Sequence, residues 1–168
     1  MIERMEEPLT AELYDLCRAT FDTHIGIDGH TGYGLQPDFR KTECRYIQRA
    51  KRRAHPRAIQ LMEEYINDMG YPNYTPEILQ IARYHEGHFY KWHKDGAGRG
   101  YRKLSMSCLL NDPSEFEGGE FQVRIAGQEE TVPLAKREVI LFFPDLEHQV
   151  APVKSGVRDS LVVWFIEK

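Results

Sequence analysis

Apolar residues fall at helical spacing in the first part of the chain and gather into short, strand-length runs in the second. Leu13, Leu16, Cys17 and Phe21 form one stripe, and Thr10 stands where a hydroxyl can cap the first turn, so a helix is predicted from Thr10 to about Phe21. Asp22 to Asp38 carries Gly26, Gly29, Gly32, Gly34 and Pro37 and reads as a loop, of a length that in compact domains is often functional. A basic helix is predicted from Lys41 to Ala54. Pro56 then opens another through Ile59, Leu61, Met62, Tyr65, Ile66 and Met69, stopped at Gly70. The turn Tyr71 to Pro76 ends the helical half.

Beyond it come β-rich runs separated by turn residues: Ile78 to Tyr84, Leu104 to Leu110, Glu120 to Ile125, Thr131 to Pro133, Val139 to Phe143 and Arg158 to Ile166. Their spacing suits an antiparallel sandwich or barrel. Helices first and strands afterwards predict an α+β fold in which helices cover one face of a β core. At 168 residues the chain is expected to form one domain, residues 1–76 mainly helical support and residues 77–168 the β core.

Composition narrows the function classes little. The 41% apolar and 29% charged fractions are ordinary for a globular protein, and a net charge of -4 with mixed signs gives no global field toward nucleic acid or anionic lipid. Cys17, Cys44 and Cys108 are far apart and form no C-x-x-C pair, which favours a reducing compartment; with a charged N-terminal stretch and no long apolar run, a cytoplasmic location without membrane contact is expected. Oligomeric state is left open.

The candidate chemistry lies where a strand runs into a polar, glycine-rich loop, Tyr84-His-Glu-Gly-His-Phe-Tyr-Lys-Trp-His93-Lys-Asp95-Gly. In extended chain, residues i and i+2 share a face, so His93 and Asp95 can hold one ion while Lys94 points away. A third ligand is offered by His148, expected in a turn after the apolar strand that ends at Phe143. Two imidazoles and one carboxylate leave coordination positions open, as in non-haem Fe(II) oxygenases. Taken alone, His-x-Asp is more often a solvated tripeptide than a site. Arg158 adds weight, because an arginine opening a strand of Leu161, Val162, Val163 and Phe165 needs an anion if it points inward, and guanidinium matches a carboxylate in bidentate geometry.

Several motifs in order then resemble the prolyl-4-hydroxylase-like 2-oxoglutarate dioxygenases, particularly their bacterial PKHD-type hydroxylase branch. They are Tyr84-x-x-Gly87 before His93-x-Asp95, Leu104-Ser-Met-Ser-Cys-Leu-Leu-Asn111-Asp-Pro, Phe116-Glu-Gly-Gly119-Glu-Phe, Phe143-Pro144, His148-x-Val-x-Pro-Val153, and Gly156-x-Arg158 followed by Trp164. The resemblance covers roughly Ile78 to Lys168. It implies a double-stranded β-helix, or jelly-roll, with supporting N-terminal helices, and His93, Asp95 and His148 as ligands of catalytic Fe(II). It further implies that Arg158 holds the distal carboxylate of 2-oxoglutarate with Ser160 as helper, that Tyr84 reaches this co-substrate and that Trp164 lies near the metal; core packing is the alternative for Tyr84 and the more common role for an aromatic such as Trp164. Two departures stand out. Lys136-Arg-Glu138 replaces the usual Gly and Asp before the strand leading to His148, and Arg158 stands where prolyl hydroxylases commonly have Lys.

The expected reaction uses Fe(II), 2-oxoglutarate and O2, with ascorbate as a candidate reductant, to hydroxylate an unactivated C–H and release succinate and CO2. A peptidyl-prolyl, amino-acid or other small substrate is expected and nucleic acid is not, since the second arginine of nucleic-acid demethylases, six residues after the first, is here Trp164. A demethylase and a non-catalytic jelly-roll binding module are the alternatives. The loops Asp22–Asp38 and Gly96–Arg102, with His85, His88 and Tyr90, are candidates to line the entrance. The basic run Arg45 to Arg57 reads as a solvated helix face or a surface for an acidic partner.

Overall fold

The structure, a computed structural model, describes residues 2–31, 34–48 and 55–168. Their order is β1 (Ile2–Arg4), α1 (Ala11–Thr23), β2 (Ile27–Asp28), β3 (Arg40–Lys41), β4 (Glu43–Gln48), α2 (Pro56–Asp68), β5 (Tyr74–Tyr84), β6 (Phe89–His93) and β7 (Arg102–Leu109). After a short 3-10 turn at Pro113–Glu115 come β8 (Phe116–Gly118), β9 (Phe121–Ile125), β10 (Gln128–Thr131), β11 (Val139–Phe142), β12 (Glu147–Val150), β13 (Val153–Gly156) and β14 (Arg158–Glu167). A seven-stranded sheet, β1-β11-β7-β14-β5-β4-β2, packs on a five-stranded one, β10-β9-β12-β6-β3, and β13 pairs with β8. This is the expected jelly-roll with helices on one side.

Period-two alternation assigns the two faces of the large sheet. Along β14, Leu161, Val163 and Phe165 join Leu79 and Ile81 of β5 and Leu104, Met106 and Cys108 of β7 in a core with Leu13, Met62 and Ile66 of the helices. Each such large side chain stabilises the fold by about 1.5–3 kcal/mol on burial. The intervening residues Arg158, Ser160, Val162 and Trp164 face the small sheet and line an internal chamber with Phe121, Phe142 and His148. Among the described residues no helix is long and apolar enough to cross a membrane.

The helices α1 and α2 stand where periodicity predicts them, with Thr10 Oγ1 accepting from the backbone N–H of Leu13. The basic helix predicted from Lys41 to Ala54 does not form over its described part. Arg40–Lys41 and Glu43–Gln48 are strands, with β4 paired to β5 from Glu43 opposite Arg83 to Gln48 opposite Ile78; the remaining positions, 49–54, lie outside the described residues. Cys44 faces the inner core and Ile47 the helix side, so β4 is buried on both faces and shows no simple alternation, while its polar composition imitates a helix.

Among the described residues, 1–76 thus supply four complete strands and the start of β5 besides the two helices. The turn before β5 is shorter than expected. The strand begins at Tyr74 and tolerates Pro76 where the pairing with β14 shifts register between Trp164 and Phe165. His148 lies within β12, paired to both β6 and β9, rather than in a turn. At the departure Lys136-Arg-Glu138, Arg137 adopts a positive φ of 67°, the conformation a glycine takes without strain. Its side-chain Nε donates to the Leu9 carbonyl at 2.8 Å, tying the N-terminal segment to this turn.

Candidate active site

His93 ends β6, Asp95 follows in the loop and His148 stands opposite His93 across the β6–β12 pairing. Their donor atoms all lie within 4.8 Å of one another. His93 Nε2 is 3.7 Å from Asp95 Oδ1 and His148 Nε2 is 3.7 Å from Oδ2. Both imidazoles are turned the same way. Nδ1 of His93 faces the Lys91 carbonyl at 2.7 Å and Nδ1 of His148 the Leu146 carbonyl at 2.9 Å. A carbonyl only accepts, so each Nδ1 carries the proton and each Nε2 presents its lone pair inward. Ser105 Oγ donates to Asp95 Oδ2 at 2.8 Å and fixes the carboxylate's rotation.

Electrostatics agree with this arrangement. Burial, followed by the neighbouring His148, pushes His93 down to about 3, so its imidazole is neutral near pH 7. Burial raises Asp95, but His148, His93, Ser105 and the Trp164 indole outweigh it and hold the carboxyl below its ordinary range. Two imidazoles and a carboxylate converging on one point fit a divalent transition metal with open positions. The indole Nε1 of Trp164 is buried without a hydrogen-bond partner, so its approach to Asp95 stops short of a formed bond.

Arg158 opens β14 directly opposite Tyr84 of β5 and lies 5.5 Å above that ring. It is 2% exposed, and its Nη1 has no hydrogen-bond partner. The adjacent Asp159 is turned to the other face, where Arg18 and Arg83 hold it. Among the described residues no carboxylate is ion-paired with Arg158, a costly arrangement for a buried charge unless a ligand supplies one. Burial raises Tyr84 to about 12, so its phenol stays protonated. Tyr84, Ser160 and Trp164 line the same chamber as the triad, a narrow space of about 30 Å³; a hollow of about 360 Å³ begins on the far side of Arg158, past Gly119. Any diacid bound here requires the chamber's side chains to part.

Outside the triad lies a wider cleft of about 570 Å³. Parts of both predicted entrance loops border it, His30, Thr31 and Gln36 from one and Ala97, Arg99 and Arg102 from the other. Tyr90 stands between cleft and chamber, its ring stacked on His93 at 3.5 Å. His85 and His88 do not reach the cleft. They meet edge to face at 5.2 Å, with His85 near Glu43. Arg45 of the basic run is a buried residue ion-paired with Glu43, and Arg57 pairs with Glu12.

Sequence reasoning missed Arg40, Gln80 and Ser105. Ser105 and Ser107 alternate with Leu104 and Met106, so inward hydroxyls were detectable in that run. No comparable signal marks Arg40, whose position depends on a strand of two residues.

Comparisons with known proteins agree with this geometry. The family model described as "2OG-Fe(II) oxygenase superfamily" matches residues 79–166. A PKHD-type hydroxylase of Maricaulis maris is 35% identical over 54% of this chain, though the match spans only 42% of that protein. Another from a Janthinobacterium species is 28% identical over 98% of this chain and 77% of its own length. Among solved structures, a Pseudomonas putida prolyl-4-hydroxylase superposes with a TM-score of 0.72 at 20% identity, covering 99% of this chain and 92% of that one. A Trichoplax adhaerens prolyl hydroxylase, solved in complex with a hypoxia inducible factor peptide fragment, gives 0.77 at 15% identity, covering 99% and 83%. These two likenesses speak for the jelly-roll alone. The family match runs from β5 to β14 and takes in all three converging donors as well as Arg158, and by it this chain belongs to the 2OG-Fe(II) oxygenase superfamily.

Proposed function

We propose that the chain acts as one Fe(II)- and 2-oxoglutarate-dependent hydroxylase domain, with His93, Asp95 and His148 as metal ligands and Arg158 as anchor for the distal carboxylate of 2-oxoglutarate. One juxtaposition carries the reading: three donors within 4.8 Å of one another share a chamber with a buried arginine whose Nη1 is unpartnered. When bound, the iron supplies the redox chemistry that couples decarboxylation of 2-oxoglutarate by O2, yielding succinate and CO2, to hydroxylation of a substrate C–H.

The chain's residues account for the rest. The Lys91 and Leu146 carbonyls hold Nε2 of each imidazole toward the metal position, and Ser105 holds Asp95. Arg158 meets a carboxylate, Ser160 shares its strand face, and Tyr84 lies beneath the guanidinium as a protonated donor. Phe121, Phe142, Val150 and Val162 line the chamber and limit water. Substrate enters by the wider cleft, over Tyr90 and Trp164. A peptidyl-prolyl, amino-acid or other small substrate fits this access, and ascorbate as reductant rests on the family resemblance alone. Buried free thiols at Cys17, Cys44 and Cys108 support a reducing, cytoplasmic setting.

The test is anaerobic titration of the Fe(II)-loaded chain with 2-oxoglutarate, followed by oxygen and a succinate assay. A visible metal-to-ligand charge-transfer band and slow uncoupled succinate are expected. A folded, iron-replete sample giving neither would overturn the assignment in favour of a binding module.

A further inference from the structure

The cleft outside the triad carries a charge opposite to that of the molecule. Besides Asp95, Glu77 is the only carboxylate among the described residues that line it, whereas Arg40, Lys94, Arg99 and Arg102 all do so. Glu77 is spent on Arg102, which it meets at 2.7 Å. Arg99 reaches only the Tyr101 hydroxyl, and among the described residues neither Lys94 nor Arg99 has a carboxylate within ion-pair distance. The chain as a whole is at -4, so this local excess of cations does not follow from composition.

Arg40 is the strongest element of the set. It is 3% exposed and lies 4.5 Å above Tyr90, one ring away from His93. Among the described residues none of its hydrogen-bond partners is a carboxylate: they are the Thr42 hydroxyl at 3.0 Å, the His30 carbonyl at 2.7 Å, Cys44 Sγ at 3.1 Å and Gln80 Oε1 at 3.0 Å. These contacts orient the guanidinium. A buried cation without a carboxylate beside it is expensive, and structural cross-linking alone would be served by a neutral side chain. A charge in such a low-dielectric wall focuses its field into the adjoining cavity.

Shape indicates the kind of anion. The cleft of about 570 Å³ adjoins a surface groove of about 500 Å³ through the shared residues Lys94, Ala97, Arg99 and Arg102. Either hollow alone suits a small ligand of the usual pocket range. Together they exceed what a small ligand needs; Arg40 lines only the cleft, Lys94 and Arg99 line both hollows, and Lys103 and Asp145 line the groove with opposite charges that offset each other. Phe143, 45% exposed, lies on the groove, which gives an apolar contact beside the charges. A phosphate polymer is the weaker match, because the molecule as a whole is net acidic.

We infer that the primary substrate is an extended acidic peptide segment, with carboxylate side chains flanking the hydroxylated residue and read by Arg40 on one side and by Lys94 and Arg99 on the other. This rests on the proposed hydroxylase reading and names the substrate class for it. Electrostatic recognition of this kind sets partner choice and on-rate more than contact area does.

Fluorescently labelled peptides test it, the central residue varied through every amino acid and the flanks all glutamate, all glutamine or all lysine. Anisotropy is measured on the full chain loaded with Fe(II) and 2-oxoglutarate under nitrogen. Glutamate-flanked peptides are expected to bind at least about tenfold tighter than glutamine-flanked ones, with the advantage collapsing near about 0.5 M salt. The paired change Lys94→Glu and Arg99→Glu, both away from the buried core, is expected to reverse the preference toward lysine flanks at unchanged melting temperature. Equal binding of glutamate and glutamine flanks, a preference for lysine flanks in the unaltered chain, or tighter binding of a single-stranded oligonucleotide would each overturn the inference. The charge-transfer band of the same sample separates the two levels: without it the hydroxylase reading fails, and with it but without acid preference only the substrate class fails.

Discussion

Two buried arginines flank the triad, and their surroundings differ in an instructive way. Arg158 faces the inner chamber above Tyr84 and has an unpartnered Nη1; Arg40 faces the outer cleft above Tyr90 with hydrogen bonds to Thr42, His30, Cys44 and Gln80. The first is incomplete as folded and suits a ligand that brings its own carboxylate into bidentate contact. The second has every guanidinium nitrogen hydrogen-bonded within the fold. On the readings proposed above, one position selects by hydrogen-bond geometry and the other by field.

The largest effect that probes this division is loss of the proposed metal position. His93→Ala or Asp95→Ala is expected to abolish succinate formation, and turnover surviving either change would remove the triad from the account. Ser105→Ala, which frees Asp95 Oδ2, is expected to weaken metal affinity by about 10–100-fold, read by competition with a chelator.

The arginines themselves give the sharper contrast. Arg158→Met removes a charge-assisted pair with the co-substrate, about 1.5–3 kcal/mol, and should raise the 2-oxoglutarate needed for half-saturation by roughly 10–100-fold. The ligand-free protein should not melt lower, because the charge removed was unpaired. Arg40→Met breaks bonds to four partners and should destabilise the fold by about 2–4 kcal/mol, a melting drop of roughly 5–12 °C. Equal melting shifts for the two variants would erase the distinction. The smallest effect concerns the far side of the large sheet. Burial pushes the Cys17 thiol up to about 12, so at pH 8 it stays protonated and native protein should resist alkylation there until denaturant is added.

The inner chamber was far more legible in the sequence than the outer cleft, for a physical reason. Chamber residues lie on long strands whose alternation is enforced by a helix-covered core: with Leu161, Val163 and Phe165 committed to the helix side, Arg158 and Ser160 had to face inward. His93 and Asp95 follow the same two-residue logic. His148 is legible as a candidate ligand although the sequence reads its strand as a turn, since β12 spans only Glu147–Val150 and is defined by its partners β6 and β9.

The cleft instead depends on elements without a local signature. Arg40 sits in a two-residue strand, and β4 was hidden under a basic composition that favoured a helix over Lys41–Ala54. Its strand character comes from pairing with β5, far away in sequence. The expectation that His85 and His88 border the entrance failed because both follow the end of β5, where the chain turns away from the triad before β6 returns to it.

The most direct test of the central claim is the visible spectrum of the Fe(II)-loaded chain on anaerobic addition of 2-oxoglutarate, compared with His148→Ala. The account predicts a charge-transfer band in the unaltered chain, absent from the variant, and succinate when oxygen is admitted. A folded, iron-replete chain with no band, or a band unchanged in His148→Ala, would contradict the assignment of the triad.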